Sequence, residues 1–500
     1  MITPEEATQR PYLPIEEITF GVPARSFAFD CSITSDECLP VVTEFALRLI
    51  HTCNGTTVEQ LKQFFGYSDK ETAAVIRTLR EERLIQWNDE RLELTAYATS
   101  RFQDSSDNLP RFTKIVDWSA EIAFDLISFH PLERGARRKR PRHMVELEQQ
   151  DTEKKSNIKH WAEQSLYSHF GQIYKKGSAQ VYKVSDITAG EGFFIPVTCQ
   201  FQLDVESVPT VNREIGGEAF GQRESISHAM TEAINSQDSS DNGALREFIR
   251  RFTDVVMDAY VSQDRFDLRQ YVMDVHLTQT RHYPTERVTP VLGSLHLESN
   301  RTRLLEMLTQ AMEEVPTVSD TDPVPSGPHR AAGAGKACWL APNDHLWSRS
   351  DRVKELVRKF NSVLNGSSKE VDDDANGIHV ILQTEDMSMG ATRRLRVQYE
   401  QISPHLFFTK PWLMDGDVEL LLVPDRLVCV LYHFNLQRQP ISVPIGFISR
   451  ERHHLEIAQA LIAKRFQNGN KVRALSGPSM PTQPSIDATT AFDFLLTQDT

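Results

Sequence analysis

Cysteine is scarce and scattered. Cys31, Cys38, Cys53, Cys199, Cys338 and Cys429 are spread over 500 residues, with no C-x-x-C pair and no tight Cys/His cluster, so neither a disulfide framework nor a structural zinc site is expected. Positive charge is in deficit: the formal net charge of −14 argues against a surface coated for non-specific nucleic-acid binding, because phosphate affinity comes from Lys and Arg. Any nucleic-acid contact has to be local. Long apolar runs are missing too, and none reaches the ~18 residues of a membrane span. The start MITPEEATQRPYLPIEE carries two Glu pairs where a secretory leader has a basic and then an apolar stretch. We expect a cytoplasmic chain with no membrane partner.

What remains is ordinary in bulk: 40% hydrophobic and 25% charged, a soluble globular composition. The length exceeds what one core organises, so about three domains are expected, of mixed α/β (multi-domain α+β) class. From Leu39 the segment LPVVTEFALRLIHTC has helix-spaced apolar residues and stops at Asn54-Gly55. Thr57, with Gln60 three residues on, opens TTVEQLKQFFGY in capping-box fashion. Ser68 can cap SDKETAAVIRTLREERLI, whose Val75, Ile76, Leu79, Leu84 and Ile85 form one apolar stripe. LIQWNDERLELTAYA then alternates around Asn88-Asp89 as a hairpin. Three helices and a hairpin resemble a winged helix-turn-helix domain over residues 20 to 102.

Residues 103 to 157 read as a connector containing the basic run RGARRKRPRH. Residues 158 to 314 read as a mixed strand and helix middle domain, with strand character in AQVYKVSDITAGEGFFIPVTCQFQLD and a surface loop at NSQDSSDNG. The Pro- and Gly-rich stretch over 315 to 335 reads as a linker. Residues 476 to 500 read as a flexible tail in which AFDFLL can dock. No fixed-period repeat is present.

The C-terminal part carries the most specific signal. KACWLAPND reads as a buried strand, SRSDRVKELVRKFNSVLN as a helix and GIHVILQTED as a second strand, an order that implies parallel strands. The hairpin VELLLVPDRLVCVLYHFNL, Val418 to Leu436, follows. This order over residues 336 to 466 resembles a phospholipase D-like domain, whose motif is H-x-K-x-x-x-x-D followed by a G-S-x-N-like element. Laid on Asp425, the motif puts its histidine slot at Val418 and its lysine slot at Leu420, and its second element on Tyr432, His433 and Asn435. Asp425 and Asn435 persist while nucleophile and cation do not, and valine can neither attack phosphorus nor stabilise charge. None of the 16 histidines is followed two places on by lysine. The resemblance therefore implies a degenerate domain with no catalytic residues, no cofactor and no metal.

Several other signals are weak. AAGAGKA at 331 to 337 lacks the first glycine and the Ser/Thr of a P-loop. His453-His454 are adjacent on a helix and diverge. Asp372-Asp373-Asp374 lacks a ligand loop. For nucleic acid, the densest patch is Arg134, Arg137, Arg138, Lys139, Arg140 and Arg142, which can bind phosphates or simply stay solvated. Lys70, Arg77 and Arg80 can share one face of the third helix, with Arg91 at the wing. Against them stand Asp69, Glu71, Glu81 and Glu82, and a winged helix can equally dock protein.

A winged helix joined to an empty phospholipase D-like module resembles accessory proteins of bacterial anti-phage defence systems. The resemblance implies a non-catalytic subunit that binds DNA, expected to be double-stranded, and positions a protein partner such as an ATPase, helicase or nuclease. The alternatives are a winged-helix transcription regulator and an unrecognised metal-dependent nuclease.

Overall fold

The computed structural model describes residues 13–37, 39–103, 110, 112–133, 143–175, 179–217, 220, 223–235, 242–262, 265–314, 335–366, 377–400, 402–467, 472–475, 492 and 495. The chain divides into two compact units. The smaller comprises Ala24–Ala136 and Asp151–Phe193, the larger Met1–Pro23, Arg137–Gln150 and Phe194–Thr500. The mixed α/β, multi-domain class expected from the sequence is what is found.

In the small unit the three helices and hairpin stand where sequence places them: α1 (Val41–Thr52), α2 (Val58–Phe65), α3 (Asp69–Glu81), β2 (Ile85–Asn88) and β3 (Arg91–Leu94). Both anticipated caps form. Thr57 and Gln60 close a capping box on α2, and Ser68 and Glu71 close another on α3, each satisfying donors that helix geometry leaves orphaned. Gly66 ends α2 with φ 67°, a left-handed conformation that favours glycine. The hairpin pairs Ile85 with Leu94 and Asn88 with Arg91. With α4 (Ala96–Gln103) these elements share a core of Leu47, Ile50, Leu61, Leu79, Leu92 and Phe102.

The expected boundaries at 20, 102 and 157 do not match the architecture. Residues Leu13–Glu37 form one strand, β1, and the supposed connector contributes β4 (Phe112–Asp125), which pairs antiparallel with Ala24–Glu37 of β1. β5 (Val145–Glu146) and α5 (Thr152–Ser156) also fall inside that connector. Two features hid β1. Its buried positions change phase, from Val22 and Ala24 to Phe27, Phe29, Cys31 and Ile33, which breaks the period-two signal of a half-buried strand. Its partner also lies beyond the whole helical segment, out of reach of local reading. The middle region likewise belongs to both units, since the break at Phe193 falls inside β6 (Gln180–Asp204). Within the small unit, α6 (Ile158–Ile173) packs Leu166 and Phe170 against Phe27, Phe29 and Phe124, and the Trp118 ring meets Phe170 edge-on at 5.3 Å.

The large unit is built on an eight-stranded sheet of order β10-β16-β15-β14-β11-β12-β13-β17. Before it come β7 (Thr210–Ile215), which pairs with the end of β6, short helices α7 (Glu224–Ile234), α8 (Leu245–Arg251), α9 (Val255–Asp258) and α10 (Leu268–Tyr271), and a small hairpin of β8 (Val261–Ser262) and β9 (Arg265–Phe266). The sheet strands are β10 (Val288–Leu292), β11 (Lys336–Leu340), β12 (Gly377–Gln383), β13 (Leu406–Thr409), β14 (Val418–Val423), β15 (Leu427–Phe434), β16 (Val443–Ser449) and β17 (Val472–Leu475). β11, β12 and β13 run parallel. They are joined by α12 (Asp351–Asn365) and α13 (Met389–Tyr399), the helical crossovers parallel neighbours require. The sheet extends past the expected 336 to 466 at both ends, because β10 and β17 close its edges.

One face of the sheet packs on α11 (Glu298–Glu313) and α12, with Leu304, Leu308, Val353, Leu356 and Phe360 meeting Trp339, Val380, Leu421 and Leu431. On the other, Phe248 of α8 lies 5.6 Å from Tyr432, and α14 (Arg452–Gln467) reaches β14 and β15. Gly446 in β16 is required by close approach: a Cβ there would stand 2.0 Å from the Val430 carbonyl oxygen. The docking expected of AFDFLL occurs at Phe492 and Leu495, both buried, with the Phe492 ring stacked 4.1 Å from Phe466. The linker over 315 to 334, Asp372 to Asp374 and the rest of the tail lie outside the described residues.

Candidate nucleic-acid interface

The third helix gains an outward charge that its composition conceals. Lys70, Arg77 and Arg80 are exposed, and at about 100° per residue they fall within roughly 80° of one another on α3. The acids of its first turn are already engaged. Asp69 pairs with Lys62 of α2 at 2.7 Å. The Glu71 carboxylate accepts the Ser68 backbone N–H and hydroxyl at 2.8 Å each, and those bonds hold it below the usual carboxylate range. Among the described residues, Lys70, Arg77 and Arg80 have no ion-pair partner. Glu81 and Glu82, at the far end, remain to offset them.

Arg91 has a different task. Its Nη2 donates to the Gly55 carbonyl at 2.8 Å, tying the wing to the turn between α1 and α2, so part of its donor set is spent within the fold. Trp87 on the facing strand is about half exposed, at 48%. The basic run Arg134, Arg137, Arg138, Lys139, Arg140 and Arg142 lies outside the described residues.

The hairpin of β14 and β15 forms as expected, but its four motif positions do not converge. Val418 and Leu420 are fully buried, on the face opposite Leu421 and Val423. Asp425 sits in the turn with φ 57°. Asn435 lies just past the opposite end of β15, where its backbone N–H donates to the Asn242 side chain at 2.7 Å. Cross-strand register sets Val418 beside Tyr432 and Glu419 beside Leu431. In a pleated pair, partners share a face, so His433 lies on the side of Glu419 and away from Val418. The slots named from sequence are core, and the polar groups belong to the neighbouring positions.

Those groups form a buried network that sequence reading missed. Glu419 accepts from Trp339 Nε1 at 2.8 Å and faces His433 Nε2 at 3.0 Å. His433 Nδ1 reaches Ser442 at 3.2 Å. Close by, Glu16 of β1 faces His296 at 3.1 Å and accepts from the Ser294 hydroxyl. Glu17 accepts from Ser350 at 2.7 Å and Arg352 at 2.9 Å. Burial alone would lower both histidines, but Glu419 beside His433 and Glu16 beside His296 raise them above the ordinary value. The only local sign was a charged residue, Glu419, inside an otherwise apolar strand.

These shifts set a pH dependence. His296 and His433, raised in the folded state, contribute stability that is complete below pH ~6.5 and fades as pH rises through their folded values. His276 and His379 are pushed down by burial to about 4 and about 3, so the stability they allow is lost as pH falls from ~6.5 toward those values. Thermal melts across pH should give a maximum near neutrality, with His433→Gln flattening the alkaline limb. An unchanged alkaline limb would place His433 outside the linkage.

Among the described residues no group of three or more His, Cys, Asp or Glu could hold a metal ion, and no helix is long and apolar enough to cross a membrane. No protein family and no curated protein matches the chain. One solved structure aligned with it is described as that of TrmBL2, an archaeal chromatin protein with a novel mode of DNA binding. That alignment covers 86% of this chain and 93% of the other at 7% identity and a TM-score of 0.20, a likeness too slight to carry fold or function from one to the other.

Proposed function

We propose that the chain is a non-catalytic DNA-binding subunit that presents α3 to the major groove and positions an active protein partner, as its resemblance to anti-phage defence accessory proteins implies. The observation that supports this is the outward stripe of Lys70, Arg77 and Arg80, left without carboxylate partners among the described residues of a chain whose net charge is −14. A groove-entering helix presents phosphate-contacting and base-reading side chains on one face. Here the stripe runs over Ala73, and α3 contains neither Asn nor Gln, the residues that read adenine bidentately. Lys and Arg can grip phosphates as well as guanine edges, and we take the stripe as a backbone contact with little sequence preference, the reading of a scaffold rather than of an operator-reading regulator. The basic run from Arg134 to Arg142 adds phosphate contacts in this reading. The burial of Val418 and Leu420 supports the absence of phosphodiesterase chemistry at the hairpin.

Fluorescence anisotropy with random and selected duplexes over a salt series tests the proposal. Affinity should fall linearly on logarithmic axes, by about 0.9 per phosphate contacted, equally for all duplexes. One sequence bound far more tightly would favour the regulator, and metal-dependent cleavage of the duplex would contradict a non-catalytic role. Reversing Arg137, Arg138 and Arg140 should weaken binding with a shallower slope, about one unit per lost contact; unchanged binding would remove that run from the interface.

A further inference from the structure

We propose that the outer face of α12 and α13 is a second contact surface for the DNA backbone, an inference that rests on the DNA-binding reading above. Both helices cover the same face of the large unit's sheet, since Val353, Leu356 and Phe360 of α12 and Tyr399 of α13 share one core. α13 is fastened beside the entry to α12. Its Tyr399 hydroxyl donates to the Trp347 carbonyl at 3.2 Å, and the Arg349 guanidinium lies 5.5 Å over the Tyr399 ring.

The charges on this layer are sorted. On α12 the sequence DRVKELVRKFNSVLN has four cations and two carboxylates, but the carboxylates are occupied. Asp351 faces His143 at 2.8 Å. Glu355 bonds Lys359 at 2.8 Å and Arg301 at 3.0 Å, and its carboxyl is held low first by the Lys359 hydrogen bond, then by Arg301 and, more weakly, by Arg358. Arg352 is turned to Glu17. Lys354 and Arg358, one turn apart and exposed, form no ion pair among the described residues. α13 holds Arg393, Arg394 and Arg396 and no carboxylate at all. Arg393 and Arg394 are exposed, and Asp386, just before the helix, is engaged by the Ser388 backbone N–H at 2.9 Å, with Arg394 adding a weaker attraction.

Four exposed cations on two neighbouring helices, Lys354, Arg358, Arg393 and Arg394, in a chain with 14 more acids than bases, make a local positive strip. At 1.5 Å per residue α12 and α13 are roughly 22 and 16 Å long. A strip of that size matches several phosphates spaced ~3.4 Å along one strand. Arginine, whose planar fork fits phosphate oxygens, supplies three of the four.

The test is a salt series on the full chain with a short random duplex, comparing wild type with Lys354→Glu/Arg358→Glu/Arg393→Glu/Arg394→Glu. The slope of log affinity against log salt should fall in magnitude by roughly 3 to 4, with the thermal melt unchanged. The corresponding fourfold Gln variant guards against misfolding and should lose roughly the same contacts without added repulsion. A slope equal to wild type in both variants overturns the inference while leaving the α3 interface standing. Loss confined to the α12–α13 variants, with an α3 variant binding normally, supports it and sinks the α3 reading instead. Wild type that binds no duplex, or variants that lose binding only to phosphatidylserine vesicles, also overturn it.

Discussion

Converting Lys70, Arg77 and Arg80 together to Glu should lower affinity for duplex DNA by on the order of 100-fold. Each side chain is exposed at the surface of α3, and losing three backbone contacts of about 1 kcal/mol each gives that factor. The salt slope should shrink by about 2.7, a signature that general damage to the fold does not produce. Because Leu79 and Thr72 keep the inner face of α3 buried, the melt of the small unit should stay put. Arg91→Ala is a useful contrast. Its loss frees the Gly55 carbonyl and loosens the wing, so it should cost roughly 1 kcal/mol of stability with a smaller effect on the slope.

The second large effect is structural. Glu419→Ala removes the carboxylate between Trp339 Nε1 and His433 and leaves both buried groups without the acceptor they share. Breaking a buried pair from one side costs about 3 to 5 kcal/mol, enough to lower the large unit's melting temperature by roughly 10 °C. Glu419→Gln keeps an acceptor for Trp339 and should cost less. The cycle with His433→Gln should return a coupling above about 1 kcal/mol; additive losses would mean the two side chains do not act as a pair. The residue that sequence reading put forward at this hairpin, Val418, should by contrast tolerate Val→Ile at under about 3 kcal/mol, as overpacking does.

Where the signal was local, sequence and structure agree. Thr57 with Gln60 and Ser68 with Glu71 carry their caps within three residues, and the turns at Gly66 and Pro424-Asp425-Arg426 are short-range chemistry. The buried run of β14 and β15 was likewise legible. Where pairing was distant, it was hidden. β1 finds β4 across the inserted helices, and β10 and β17 join a sheet whose other strands lie between them in sequence. The site suffered in the same way. Glu16 and Glu17 read only as acids that argue against a secretory leader, yet their partners are Ser294, His296, Ser350 and Arg352. Nothing in the local sequence could show that pairing. The charge on α3 was misjudged for the opposite reason. Counting residues treats Asp69 and Glu71 as free negatives, while caps and the Lys62 pair have already used them.

Hydrogen–deuterium exchange on the full chain with and without a random duplex tests most directly whether α3 faces DNA. Slowed amide exchange across Asp69–Glu81 and the hairpin Ile85–Leu94 is the expected result. Protection that spares both segments while duplex binding is saturated would contradict it.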